Sequence, residues 1–268
     1  MIQADYHVHT AFSSDSQASV ESMIEQAIAL GFTRICITDH MDYDYPKIYD
    51  LDFVFQPDEY FTKLEQIQKK YASKIKVLIG IELGLRPSVT AKCKQLVEHY
   101  PFDFIIGSTH LVDDIDPYEA TYWNDQSEEE SIDRYFKTIS DNLAAFSDID
   151  VYGHLDYVVR YAPSKACSYE YSAHQQTIDQ ALQAILAKGK GIEVNTAGYK
   201  YGLGFAHPKK DIIKRYLELG GKIITIGSDG HKPEHMAYDF KKAREMLLSL
   251  GVKEYTVFEK RQPIFLPL

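Results

Sequence analysis

The 268-residue sequence predicts an α/β fold, a single-domain (β/α) barrel of seven units spanning residues 1–268. Three observations lead there. Short apolar runs alternate with segments of helical period along the whole chain, with no linker or composition break between them. Most of those runs are apolar throughout, as strands covered on both faces are. Polar side chains able to do chemistry recur where each run ends. An open parallel sheet gathers its site at one switch point, whereas a ring brings all its βα loops to one mouth.

The predicted strands are Ile2–His7, Arg34–Thr38, Val77–Leu83, Phe104–Ser108, Val151–Gly153, Gly191–Asn195 and Ile223–Gly227. The first is followed by a helix over Val20–Leu30, with Val20, Met23, Ile24, Ala27 and Ile28 on one face and Gly31 as its stop. Pro57 opens the second helix, which turns Phe61, Leu64 and Tyr71 inward. Ser88–Tyr100 is the third, ended by Pro101. Ser127 and Glu130 form a capping box ahead of Ile132, Phe136, Ile139 and Leu143. Ile178, Leu182 and Ile185 precede Gly189, while Ile213, Tyr216 and Leu217 precede Gly220. Pro233 opens a last long helix to Leu250. The Tyr43–Phe55 segment is long and aromatic for a βα loop and reads as a lid.

Composition narrows the function. The net charge is -10 and no Lys/Arg run makes a basic patch, which disfavours a nucleic-acid partner. Cys36, Cys93 and Cys167 are scattered with no CxxC, so neither a disulfide framework nor a thiolate zinc site is expected. No apolar stretch reaches the ~18 residues of a membrane span, and the early first strand argues against a signal peptide. A cytoplasmic protein without a membrane partner is the expectation. No feature decides between a monomer and a homo-oligomer.

His7 and His9 end the first strand, and Asp39 and His40 the second. Glu82 lies near the end of the third, His110 follows the fourth and His154 the fifth. Asn195 ends the sixth, and Asp229 with His231 follow the seventh. Each alone has an ordinary explanation: a hydrogen-bonded loop histidine or, for Asp39 and Asp229, a helix N-cap. Glu82 is harder to explain, because it interrupts the apolar run KVLIGIEL. A buried unpaired carboxylate costs several kcal/mol or takes up a proton, and a cation beside it removes that penalty.

Neutral imidazole with carboxylate and no thiolate suits Zn, Fe or Mn. The donors His7, His9, Asp15, His40, Glu82, His110, His154, Asp229 and His231 exceed what one four-coordinate ion needs. Two or three divalent ions are therefore expected. Residues two apart in an extended segment point the same way, so His7 and His9 can share one ion while Asp15 reaches towards another. His99, His174 and His235 fall on predicted helices away from the mouth and read as structural or surface residues. His207, after the Gly-rich GLGFAHP, is a candidate for the pocket wall.

The stretches DYHVHTAFSSD, ITDHMDY, GIELG, IIGSTHLV, YGHLDYVVRY, EVNTAGYKYG and IGSDGHKPEH span positions 5 to 235. With these seven in register, the chain resembles the polymerase and histidinol phosphatase (PHP) superfamily, in particular its histidinol-phosphate phosphatase branch. The resemblance implies a distorted (β/α)7 TIM-like barrel with a trinuclear metal centre. By position, His7, His9, Glu82 and Asp229 would hold the first ion. Glu82 would bridge to a second ion on His110 and His154. Asp15, His40 and His231 would hold the third. Many relatives have histidine where this chain has Asp15, and similar phosphatases have arginine where it has Lys200.

The resemblance also implies a phosphoric monoester hydrolase that cleaves L-histidinol phosphate, a small phosphorylated amino alcohol of histidine biosynthesis, using metal-activated water. Glu82, Asp229 and His231 are then the candidate catalytic residues, with Asp229 and water both open as proton donor to the leaving alkoxide. Arg160, six residues after His154, is the first candidate for a phosphate clamp, because guanidinium grips two oxygens at once. Lys200 keeps the charge but lacks the fork. Asp42 is a candidate for the amino group of the substrate. Three other readings stay open: a PHP-type phosphatase for another small ester or phosphotyrosine, a PHP-type nuclease, and a non-catalytic metal-binding scaffold. The net charge counts against the nuclease.

Overall fold

The computed structural model describes residues 2–47 and 52–268. Its strands are β1 (Ala4–Asp5), β2 (Arg34–Ile37), β3 (His40–Met41), β4 (Lys76–Gly84), β5 (Phe104–Ser108), β6 (Val151–Tyr152), β7 (Gly191–Asn195) and β8 (Ile224–Gly227), followed by β9 (Glu254–Glu259) and β10 (Gln262–Pro267). The order β1-β2-β4-β5-β6-β7-β8 is parallel throughout, with β3 adding to β4 beyond β2. Beyond the strand ends, Val8 bridges to Gly230, and His9 N donates to Gly230 O at 2.9 Å. Tyr6 N donates to Ile226 O at 3.2 Å. These bonds join the first strand to the last and close the ring, as the sequence predicts.

Between the strands lie α1 (Val20–Ala29), α2 (Pro57–Tyr71), α3 (Thr90–His99), α4 (Glu128–Ala145), α5 (Gln175–Ala187), the short α6 (Ala197–Lys200), α7 (Lys210–Glu218) and α8 (Phe240–Ser249). The capping box at the start of α4 is present in both directions: Ser127 Oγ accepts from Glu130 N, and Glu130 Oε2 accepts from Ser127 N. The helices cover the outside of the ring with the inward faces predicted from their periodicity. Val20, Met23, Ile24 and Ala27 of α1 are buried, as are Ile178, Leu182 and Ile185 of α5.

Several boundaries differ from expectation, and at two strand ends the reason is local. The first strand stops at Asp5 rather than His7, and the fifth at Tyr152 rather than Gly153. Past those points side chains take over the backbone donors. Asp5 Oδ1 accepts from His7 N at 3.2 Å, Thr38 Oγ1 from Val8 N at 3.1 Å, and Glu193 Oε2 from His154 N at 2.9 Å. The last helix does not run from Pro233. Pro233–His235 is a single 3₁₀ turn, and Ala237 and Asp239 take left-handed φ of 55° and 52° before α8 begins. Ala237 N donates to the buried Asp5 carboxylate at 3.1 Å, which pulls the chain back onto β1 and breaks the helix.

The β9–β10 hairpin, which was not anticipated, seals the N-terminal end of the barrel. Thr256 Oγ1 accepts from Ile224 N at 3.1 Å, Tyr6 Oη donates to Phe258 O at 2.9 Å, and Phe258 stacks on Phe104 at 5.1 Å. The C-terminal end of the barrel is left to polar loops.

Candidate metal centre

Glu82, near the end of β4 and fully buried, is the hub of the mouth. Its Oε2 lies 3.2 Å from His7 Nε2, 2.8 Å from His40 Nδ1 and 3.6 Å from His9 Nε2. Its Oε1 lies 2.9 Å from His154 Nε2 and 3.3 Å from His110 Nε2, and accepts from Ser108 Oγ at 2.7 Å. On the far side, Asp229 Oδ1 is 3.4 Å from both His9 Nε2 and His231 Nδ1. Asp15 Oδ2 lies 3.0 Å from His231 Nε2 and 3.8 Å from His40 Nε2. The nine residues singled out from the sequence thus share one rim. Among the described residues, donor atoms converge within 4.8 Å in four triads: His7, His9 and Glu82; Glu82, His110 and His154; His9, His40 and His231; and His40, Asp42 and His110.

Hydrogen bonding behind the rim decides which nitrogen faces inward. His7 Nδ1 is 2.6 Å from Glu193 Oε1, and His110 Nδ1 is 2.7 Å from Asp42 Oδ1. A carboxylate accepts, so each Nδ1 carries a proton and each Nε2 is turned towards Glu82. Among the described residues, His7 Nε2, His9 Nε2, His40 Nδ1 and Glu82 Oε2 are buried without a hydrogen bond. Such atoms need a proton or a cation between them. Burial opposes charge on His7 and His110, but Glu193 and Glu82 in the first case, and Asp42 and Glu82 in the second, outweigh it and hold both pKa values well above the usual range. Burial similarly opposes ionisation of Glu82 and Asp229, but neighbouring imidazoles hold both well below the carboxylate range. Burial and the nearby His231 and His40 keep His9 neutral, which suits a ligand. The donor set fits divalent metal ions, which would replace the protons that otherwise balance these carboxylates.

The neighbouring side chains show close fit. A Cβ at Gly227 would sit 2.3 Å from His7 Cβ and 2.4 Å from Glu193 Oε1, and one at Gly84 would sit 1.8 Å from Asp42 Oδ1. Only glycine lets these carboxylates reach their histidines. Asp42, expected to meet a substrate amino group, gives Oδ1 to His110 and leaves Oδ2 without a hydrogen bond. Asp39 is not a helix cap. It accepts from Thr10 N at 2.6 Å, Thr10 Oγ1 at 2.8 Å and Ser13 Oγ at 2.7 Å, and so shapes the loop that carries Asp15. Glu193 was missed, although it carries the signal that exposed Glu82: an acid interrupting the apolar run GIEVN.

A cavity of about 320 Å³ opens beside the donors. Arg160 and Lys200 line it together with Tyr45, Phe53, Tyr157 and Tyr201. The Arg160 guanidinium lies 4.1 Å from the Tyr201 ring and 5.0 Å from Tyr157, and its Nη2 is 3.5 Å from Asp229 Oδ2. Arg160 Nε and Nη2 are buried without hydrogen-bond partners among the described residues. Lys200 Nζ donates to Asp229 O at 3.0 Å, and burial lowers its pKa. Of the predicted lid, residues 48–51 lie outside the described residues, while Tyr45 and Phe53 form part of the wall.

The other histidines divide differently from the prediction. His235 lines the cavity, because the turn at Pro233 curls back instead of continuing as a helix. His99 ends α3, and His174 is buried before α5 with Nδ1 3.1 Å from Asp133. His207 is fully buried behind the wall, with Nδ1 2.5 Å from Asp156 Oδ1.

Among the described residues no helix is long and apolar enough to cross a membrane. The PHP domain family model matches residues 5–197. The chain is 32% identical over 264 residues to the histidinol-phosphatase of Lactococcus lactis, covering 96% of this chain and 95% of that one. It is 35% identical over 264 residues to a probable histidinol-phosphatase of Clostridium acetobutylicum, covering 96% and 97%. A crystal structure of the Lactococcus lactis histidinol phosphate phosphatase, complexed with Zn, L-histidinol and phosphate, superposes with a TM-score of 0.89 at 31% identity, covering 98% of each chain. The seven motifs, the closed ring and these likenesses agree, and the chain belongs to the PHP domain family.

Proposed function

We infer that this chain, acting as one domain over residues 1–268, is a metal-dependent phosphomonoesterase that hydrolyses L-histidinol phosphate to L-histidinol and phosphate. The observation that carries the reading is the Asp229 carboxylate. Its Oδ1 faces the imidazoles of His9 and His231, and its Oδ2 faces Arg160. The donor cage and the cationic wall therefore meet at one residue, and a phosphoryl group seated there touches both. The relative of known structure, whose crystal holds zinc, L-histidinol and phosphate, supports the substrate class.

Two or three ions, of Zn, Fe or Mn, fit the donor set. His7, His9, Glu82 and Asp229 would hold one, Glu82, His110 and His154 a second, and Asp15, His40 and His231 a third. Bound there, such ions lower the pKa of water towards neutrality and offset phosphoryl charge. Glu82, Asp229 and His231 keep the donors in register. Arg160 and Lys200 bind the phosphoryl oxygens and stabilise the charge that builds during in-line displacement. Tyr157, Tyr161 and Tyr201 hold the guanidinium by stacking, so its hydrogen-bonding edge stays oriented. The aromatic wall of Tyr45, Phe53 and Tyr157 also favours a second reading, a phosphatase for aryl esters such as phosphotyrosine.

Steady-state kinetics on metal-reconstituted protein tests the choice. Histidinol phosphate should show a higher kcat/KM than phosphotyrosine, and a diester such as bis(p-nitrophenyl) phosphate should be the poorest of the three. Faster cleavage of the diester would replace this reading with a nuclease.

A further inference from the structure

We propose that the buried Asp156–His207 pair is a brace that sets the spacing of the Arg160–Lys200 clamp. The inference rests on the phosphate-binding reading of those two cations. They come from different loops: Arg160 from the 3₁₀ turn Tyr157–Tyr161 after β6, and Lys200 from α6 after β7. They meet at the Tyr201 ring, which lies 4.1 Å from Arg160 Cζ and 4.9 Å from Lys200 Nζ. How two cations surround one phosphoryl group then depends on how two separate loops are tied together.

The tie lies at the bases of the loops. Asp156 immediately precedes the turn that carries Arg160, and His207 stands where the second loop returns; both are fully buried. Asp156 Oδ1 lies 2.5 Å from His207 Nδ1, and Asp156 Oδ2 accepts from Lys209 N at 2.8 Å. His207 is itself fastened to the end of β7, donating its N–H to Asn195 O at 2.8 Å and accepting from Asn195 N at 2.7 Å. Residues 196–206, with Lys200 and Tyr201 among them, thus form an excursion closed at its neck. The neck is bolted to the start of the turn that carries Arg160. A short, buried, carboxylate-to-imidazole bond is geometrically demanding, so it fixes the separation of the two loops. His207 does not line the cavity, so it is a positioning residue that acts through those loops.

The test uses the metal-loaded protein, with inorganic phosphate as competitive inhibitor and metal content measured on the same samples. His207→Phe keeps a ring but has no donor for Asp156, and His207→Asn restores an N–H at the Nδ1 position. His207→Phe should weaken phosphate inhibition about tenfold and raise KM, with metal content unchanged. His207→Asn should recover most of the loss. Added to Arg160→Ala, His207→Phe should cause little further weakening, because the brace works through the clamp. Unchanged phosphate inhibition in His207→Phe, additive losses in the double variant, or loss of metal from His207→Phe would each overturn the brace. If Arg160→Ala alone leaves phosphate inhibition untouched, the clamp reading fails first and the brace with it. Should the Phe variant not fold, Asp156→Asn is measured with the same readouts and the same criteria.

Discussion

At the N-terminal end of the barrel Glu259 meets Arg34 and Lys76, and Asp150 meets Arg261. At the C-terminal mouth Glu82 is instead surrounded by the imidazoles of His7, His9, His40, His110 and His154. The base carries permanent cations of its own, and its acids are neutralised at any ordinary pH. The hub of the mouth relies on imidazoles, whose charge depends on a bound proton and which the surrounding acids drive far from their ordinary pKa. The difference shows what each end is for. The base is electrostatically complete and serves closure, whereas the mouth is complete only when protons or metal ions supply the missing charge.

The sharpest way to break this contrast is to remove the metal. Chelation should reduce turnover to background and lower the Tm, because ions that bind the folded mouth stabilise it by mass action. Full activity after exhaustive chelation, checked by metal analysis, would mean that the mouth needs no ions. Next in size is Glu193→Gln, which weakens the hold on His7 Nδ1. Metal affinity should fall roughly 10–100-fold while the fold, followed by circular dichroism, stays intact.

At the other end, Arg261→Ala leaves the buried Asp150 carboxylate without its guanidinium, with only backbone donors such as Ile105 N. A stability loss of about 1–3 kcal/mol in urea unfolding is expected, with kcat/KM unchanged. An activity loss that exceeds the loss of folded protein would show that the two ends are coupled.

The smallest effect is on pH dependence. Burial opposes charge on His40, but Glu82 and Asp15 outweigh it and push its pKa up to about 9, from a usual 6.5. A group with a raised folded pKa adds stability that is complete below the unfolded value and fades as pH climbs through the folded one. Metal-free protein should therefore lose several degrees of Tm between about pH 7 and 9. Metal-loaded protein should hold its Tm over that window, and parallel curves would remove the argument that protons stand in for cations.

What could be read from the sequence follows the range of the interaction that produces it. The capping box at Ser127 and the inward faces of α1 and α5 depend on neighbours three or four residues away, and they were predicted correctly. The rim residues were legible because a strand end is a local feature repeated seven times, and because an acid inside KVLIGIEL has no local excuse. Which side chains support them was not legible, although Glu193 inside GIEVN carries the same mark as Glu82. Glu193 behind His7, Asp42 behind His110 and Asp156 behind His207 are pairings across strands or loops, invisible until the ring closes. The same holds for the break at 236–239, which is caused by a carboxylate on β1, and for the hairpin, whose partners Ile224 and Tyr6 belong to other parts of the ring.

The seam that joins Val8 to Gly230 runs between His9 and Asp229. Shutting the cylinder and completing the reactive pocket are therefore one folding event, separated along the polymer by more than two hundred residues. A nascent chain still lacking its eighth strand has the early imidazoles but no finished cage. The contact that finishes the cage forms late in synthesis, and it is the one that an incoming ion would lock.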